Sequence, residues 1–108
     1  MEIKDSPFRG ILVTKGRVSG REHQVILRGV KYDDKIYFSR HRPDSDWFQN
    51  AMANSTVKVI YDKSTFVGSA KIVRDDVLNQ KISQLKYPDE KRAEEKRVSI
   101  EITLHEQQ

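Results

Sequence analysis

The residues of this chain best suited to chemistry lie in one segment, Thr14-Lys15-Gly16-Arg17-Val18-Ser19-Gly20-Arg21. Backbone N–H groups in a glycine turn, set beside the cations of Lys15, Arg17 and Arg21, are able to hold a phosphate. The segment lacks the Gly-Lys-Ser/Thr ending of a P-loop and does not open a helix, so a solvated basic hairpin tip is the competing reading. A second basic group, Arg40-His41-Arg42, comes shortly before Trp47, Phe48 and Asn50. It offers either further phosphate contacts or a solvated loop. Trp47 and Phe48 suit a core, whereas an asparagine within a helix either faces water or makes a specific hydrogen bond.

Other chemistries find little support. His23, His41 and His105 form no i,i+4 pair and have no carboxylate at ligand spacing, which argues against a metal site. The chain has no cysteine, which excludes disulfides, a thiolate nucleophile and cysteine-held zinc or iron–sulfur clusters. No serine sits in a G-x-S-x-G elbow. Asp33 and Asp34 read as turn residues between strands and not as paired catalytic carboxylates.

The elements that must position these residues follow from the apolar spacing. Ile11-Leu12-Val13 and Val25-Ile26-Leu27 flank the glycine segment as the arms of a hairpin, and Tyr32-Asp33-Asp34-Lys35 turns the chain into a third strand at Ile36-Tyr37-Phe38-Ser39. A short helix capped by Asp44 or Ser45 carries Trp47, Phe48, Ala51 and Met52 on one face, with Asn54 at its end. Val57–Tyr61 and Thr65–Val73 make a second hairpin around Asp62-Lys63-Ser64, with Gly68 a candidate bulge. Asp75 caps a helix bearing Leu78, Ile82 and Leu85, which Tyr87-Pro88 ends. Asp89 to Lys96 reads as a solvated helical turn. Val98, Ile100, Ile102 and Leu104 then alternate with polar residues, as in a strand with one buried face.

The order is β-β-β-α-β-β-α-β. Six short strands without a crossover helix between each pair cannot form a doubly wound parallel sheet, so a small, mainly β, antiparallel barrel is expected. At 108 residues the chain is expected to be a single domain over 1–108. Its net charge of +4 permits an anionic ligand without demanding nucleic acid. Met1 to Asp5 shows no leader pattern and no apolar run approaches the roughly 20 residues of a membrane span, so a cytoplasmic protein is expected.

Three pieces in succession carry a resemblance: Leu12-Val13-Thr14-Lys15-Gly16-Arg17-Val18-Ser19-Gly20, then Tyr37-Phe38-Ser39, then Trp47-Phe48-Gln49-Asn50-Ala51-Met52-Ala53-Asn54 before a valine-rich strand. Over residues 9 to 74 the chain resembles the deazaflavin-dependent nitroreductase and quinone reductase family, within the pyridoxamine-phosphate-oxidase-like, FMN-binding split-barrel group. The resemblance implies a six-stranded antiparallel split β-barrel that forms a homodimer. It also implies a bound FMN or 8-hydroxy-5-deazaflavin coenzyme that exchanges a hydride with an electron-poor acceptor, a quinone or a nitroaromatic. By the same resemblance Arg17, Ser19, Gly20 and Arg21 surround the cofactor phosphate, with Lys15 beside them. The strand His23-Gln24-Val25 runs along the ring, Ser39, Arg40 and His41 form a facing loop, and Trp47 and Asn50 brace that loop. Val18 stands where the family often has a basic residue, which leaves part of that charge to Arg21. No side chain is nominated as general acid or base. A non-catalytic ligand-binding barrel is the alternative. A small nucleic-acid-binding barrel is less favoured, because few aromatics alternate with lysine or arginine along one strand.

Overall fold

The computed structural model describes residues 7–40, 46–87 and 98–105. Within them the order is β1 (Phe8–Lys15), β2 (Glu22–Tyr32), β3 (Lys35–Arg40), α1 (Asp46–Ala53), β4 (Thr56–Tyr61), β5 (Ser64–Val73), α2 (Asp76–Lys86) and β6 (Val98–Leu104). The strands close into an antiparallel barrel, β1-β2-β3-β6-β5-β4, as the element order leads one to expect. The cap at Asp44 or Ser45, Pro88, and the turn over 89–96 lie outside the described residues. No described helix is long and apolar enough to cross a membrane.

Local chemistry accounts for the connections. Asp33 and Asp34 have φ of 52° and 62°, and Asp62 and Lys63 have 50° and 66°, so both two-residue hairpins turn through left-handed backbone that matches strand twist. Asp75 caps α2 by accepting from the N–H groups of Val77 at 2.9 Å and Leu78 at 3.3 Å. Strand alternation sends Leu12, Ile36, Phe38, Val57, Val59, Ala70, Ile100 and Ile102 into the barrel, where they pack with Trp47, Phe48 and Ala51 of α1. The opposite face of the sheet receives α2 over Val30, Tyr37 and Val73.

Two glycines in the wall are set by close approach. At Gly29 an added Cβ would lie 2.6 Å from the Phe38 ring, its partner across β2 and β3. At Gly68 it would lie 2.8 Å from both the Ile102 side chain and the Thr103 carbonyl oxygen. The sequence suggests a bulge at Gly68, but it pairs in unbroken register with Val57 on one side and Leu104 on the other. Backbone proximity is the reason for glycine there.

The face of α2 also differs from its apolar stripe. Its buried residues are Asn79, Ile82, Ser83 and Lys86, while Leu78 and Leu85 are partly buried at the margins. Lys86, only 3% exposed, donates to the Ser39 carbonyl at 3.3 Å and to its Oγ at 3.0 Å, with its ammonium 5.2 Å from the Tyr87 ring centre. On the same outer face the Tyr37 hydroxyl donates to Glu101 at 2.9 Å and Lys35 does so at 3.1 Å, tying β3 to β6. Burial, and then this bond to Glu101, push the Tyr37 hydroxyl well above the usual phenol range. Burial alone would raise the Glu101 carboxyl, but the bonds from Tyr37 and Lys35 and the charges of Lys35 and Lys71 hold it below its ordinary value.

Gly68→Ala should therefore lower the unfolding free energy by about 1–3 kcal/mol, the usual cost of overpacking. Urea denaturation reads it. An unchanged midpoint would show that the β5–β6 backbone gives way without cost.

Candidate functional site

The first hairpin carries more than its share of the barrel. β1 and β2 pair from Phe8↔Gly29 out to Lys15↔Glu22, whereas β3 meets β2 over Gly29 to Tyr32 and β4 meets β1 over Ile11 to Val13. Residues 14–23 thus extend as a two-stranded arm ending in the glycine turn. Within that turn the Gly16 N–H donates to the Arg21 carbonyl at 2.8 Å and the Gly20 N–H to the Gly16 carbonyl at 2.9 Å. Gly20 has φ of 73°, a left-handed conformation that glycine adopts without strain.

Helix α1 lies beside this arm and clasps it. The Arg17 guanidinium donates to Asn50 Oδ1 at 2.7 Å, the Arg17 backbone N–H donates to the same oxygen at 3.3 Å, and Asn50 Nδ2 donates to Thr14 Oγ1 at 3.5 Å. Asn50 is 4% exposed and Thr14 is 1% exposed, so the Asn50–Thr14 end of the clasp is buried while Arg17 reaches it from the exposed turn. Arg17 also meets the Asp46 carboxylate at 3.4 Å, an exposed contact of small energetic weight. Asn50 therefore does make the specific bond that a mid-helix asparagine calls for. Among the described residues its partners are the basic turn and β1; His41, in the loop that the resemblance has it brace, lies outside them.

Between the arm and α1 lies a cavity of about 550 Å³ lined by Thr14, Gly16, Arg17, Val18, Ser19, His23, Gln24, Val25, Asp46, Trp47 and Asn50. Seven of the expected residues meet here: Arg17, Ser19, His23, Gln24, Val25, Trp47 and Asn50. The others fall elsewhere. Lys15 and Gly20 line a second hollow with Glu22, Thr56 and Lys58, and neither hollow is lined by Arg21. Ser39 is 4% exposed beneath Lys86 and lines neither. Arg40 ends β3 opposite Val98, and His41 lies outside the described residues. Thr14, Gly16, Val18 and Asp46 are additions. Gly16 and Val18 sit inside the turn that the sequence marks, and Asp46 adjoins Trp47, so proximity in sequence was the available signal. Thr14 opens the same segment, and the inward alternation of β1 turns it toward the cavity.

The cavity combines an apolar wall with a few aimed polar groups. Trp47 is 7% exposed and packs edge to face on Phe48, with ring centres 5.7 Å apart. Its indole Nε1 is buried with no hydrogen-bond partner among the described residues. His23 Nε2 and Ser19 Oγ are 3.5 Å apart, and Ser19 Oγ accepts from the Arg21 N–H at 3.2 Å. A Cβ on Gly16 would fall 2.7 Å from His23 Nε2, so glycine at this position leaves room for the imidazole. Among the described residues, no group of histidines and carboxylates is placed to hold a metal ion.

Solved structures share this architecture. A conserved hypothetical protein from Mycobacterium tuberculosis superposes with a TM-score of 0.78 at 20% identity, over 94% of this chain and 76% of that one. An F420-H2 dependent reductase gives 0.70 at 20% identity over 94% and 98%. A candidate pyridoxamine 5'-phosphate oxidase from Listeria innocua gives 0.68 at 16% identity over 91% and 84%. The likeness is one of fold. No protein-family model matches the chain, and no curated protein does.

Asn50→Ala should cost about 1–3 kcal/mol of stability, because it strands the buried Thr14 hydroxyl on β1 and removes the acceptor of the Arg17 guanidinium on the turn. Guanidinium titration followed by Trp47 fluorescence measures it. Wild-type stability in this variant would mean that the arm holds its place without the clasp.

Proposed function

We propose that the chain binds a flavin-type cofactor, FMN or the 8-hydroxy-5-deazaflavin coenzyme, and transfers a hydride between it and an electron-poor acceptor of quinone or nitroaromatic type. The single observation that carries this reading is the cavity between the arm and α1, on a fold shared with a reductase that depends on F420-H2, itself a deazaflavin. The residues fit such a group. The cavity's size falls in the range of small-molecule sites, Val25 and the Trp47 ring supply apolar wall, and the buried Trp47 N–H, without an acceptor among the described residues, is a donor for a ligand. When bound, a flavin or deazaflavin supplies the hydride chemistry.

The chain's own residues bind and orient. Arg17, pinned by Asn50, keeps a fixed cation at the cavity wall, and Ser19 and His23 add polar contacts. Ser39 and Lys86 act from beneath β3 by holding its end, and Lys15 and Gly20 serve the outer flank of the turn. A cytoplasmic setting and a single domain over 1–108 belong to the same reading. A ligand carrier without turnover would use the same cavity, and retention of ligand without acceptor reduction would identify it.

The homodimer is proposed on a separate observation. On the outer face of the barrel Ile26, Ile11 and Ile60 stand side by side across β2, β1 and β4, and Ile26 is 68% exposed. Ile26 follows the cavity residues Gln24 and Val25 in β2, so a second copy seated on this row would lie next to the strand that lines the cavity.

Calorimetric titration with FMN and, separately, the deazaflavin coenzyme should show one site per chain for at least one of them. Failure of both at high micromolar concentration, with an oligonucleotide bound in the same buffer, would transfer the reading to nucleic acid. Ile26→Asp should shift the protein from dimer to monomer in sedimentation velocity while leaving its circular dichroism intact. A dimer that survives the substitution would place the interface on another face.

A further inference from the structure

β2 outruns the strand that follows it, and part of its far edge is bare. β3 pairs with β2 only over Gly29 to Tyr32, whereas β1 runs alongside it from Gly29 to Glu22. The bond from the Gly16 N–H to the Arg21 carbonyl fixes which backbone groups of β2 face β1. Antiparallel bonding alternates, so from that pair onward His23, Val25 and Leu27 turn their N–H and C=O toward β1, and Glu22, Gln24, Ile26 and Arg28 turn theirs to the far side. There these groups have no partner among the described residues. All four side chains on this edge are exposed. Native proteins blunt such an edge with a proline or a bulge. This one has neither, and its charges stand only at the two ends, Glu22 at one and Arg28 at the other.

We infer that a second copy of this chain occupies the edge: the two β2 strands pair antiparallel about a two-fold axis at Val25. The inference rests on the homodimer reading above and supplies its strand and its register. An axis at Val25 sets Gln24 opposite Ile26 of the second copy and Glu22 opposite Arg28 of the second copy, and by symmetry the reverse. Every outward N–H and C=O from Glu22 to Arg28 then finds a partner. An axis at Ile26 would oppose Glu22 to Val30, which already pairs with Tyr37, and an axis at Gln24 would oppose Arg28 to Gly20, whose N–H is bonded to the Gly16 carbonyl. An axis between two residues would set outward groups against groups that face β1. The edge thus has one register that uses it fully.

That register is also the one in which the side chains agree. Directly opposed residues share a face, so the Glu22 carboxylate meets the Arg28 guanidinium at both ends of the paired strands. Glu22 accepts from Lys58 at 3.1 Å through Oε2, which leaves Oε1 for the second copy, and Arg28 is steadied by the Tyr87 ring, 5.3 Å from its guanidinium carbon. On the inner face the two Val25 side chains meet at the axis, and Leu27 of the second copy stands opposite His23. Both positions adjoin the stretch of β2 that lines the cavity, so the second copy adds apolar side chains beside it. The isoleucine row proposed for the homodimer runs up to this edge at Ile26. A foreign strand would find the same backbone groups, but this edge is complementary to itself, and the two-fold pairing closes at two chains.

Charge reversal tests the register, and amide exchange tests the pairing. In sedimentation velocity, Glu22→Arg and Arg28→Glu should each weaken the dimer by about tenfold, because each sets like charges opposite at both ends, and the double variant should recover it. Within one chain residues 22 and 28 lie about 20 Å apart along the strand, so recovery reports a contact between chains. On the unmodified protein, exchange of the Glu22, Gln24, Ile26 and Arg28 amides, followed by NMR, should be slow at a concentration that favours the dimer and fast on dilution. A dimer in which these amides exchange freely, or in which the double variant is no better than the single ones, overturns the inference and leaves the homodimer reading standing. A monomer at high micromolar concentration overturns both and leaves the edge to a foreign strand.

Discussion

A buried amide on α1 holds the basic turn of the first hairpin in place, and the site exists because of it. Asn50 accepts both the guanidinium and the backbone N–H of Arg17, 33 residues earlier in the chain, and reaches Thr14 with its other end. Without such a bond the arm of residues 14–23 would be a two-stranded ribbon projecting past the barrel with little to fix its angle. With it, the space between arm and helix becomes a walled cavity. The charge-assisted contact is also the stronger kind of hydrogen bond, and its Asn50 end is buried.

The barrel supplies the stiffness against which this clasp works. Phe38 lies over Gly29, and Gly68 brings the β5 backbone against β6, so aromatic and branched side chains fill the interior to contact. Outside, α2 covers the β3 end of the sheet and binds it by an unusual means for a packed helix, a buried lysine that reaches the Ser39 carbonyl and hydroxyl. Ser83 and Ser99 have buried hydroxyls with no partner among the described residues near this seam, which marks it as the more polar of the two helix-to-barrel contacts.

The barrel was readable in the sequence because its signals are local. Alternation in 98–104, paired aspartates at 33 and 34, and the Asp75 cap each act within a few residues, and each appears where its pattern stands. The glycine turn and the tryptophan helix were legible as candidate site pieces for the same reason. Partners were not. Asn50 could be marked as a residue needing a bond, but nothing in its neighbourhood says that Arg17 is the acceptor's target. The burial of Asn79 and Lys86 escaped because a helix face is assigned by its apolar residues, and here the contact is rotated toward polar ones. Gly68 misled for a related reason, since a bulge and a close backbone approach leave the same mark in one strand.

The place of β6 has a bearing on how the molecule is made. This strand comes after every other barrel strand in the chain and lies between β3 and β5, joined to β3 across 66 residues by Lys35 and Glu101. During synthesis the five earlier strands emerge first, and β3 and β5 then carry unpaired edges until residues 98–104 clear the ribosome. At ordinary translation speeds the interval between β5 and β6 lasts on the order of seconds. Bare strand edges of this kind recruit foreign strands, so the newborn chain is most exposed to aggregation in that window, and chaperones that shield such edges would matter more to its yield than to its final stability.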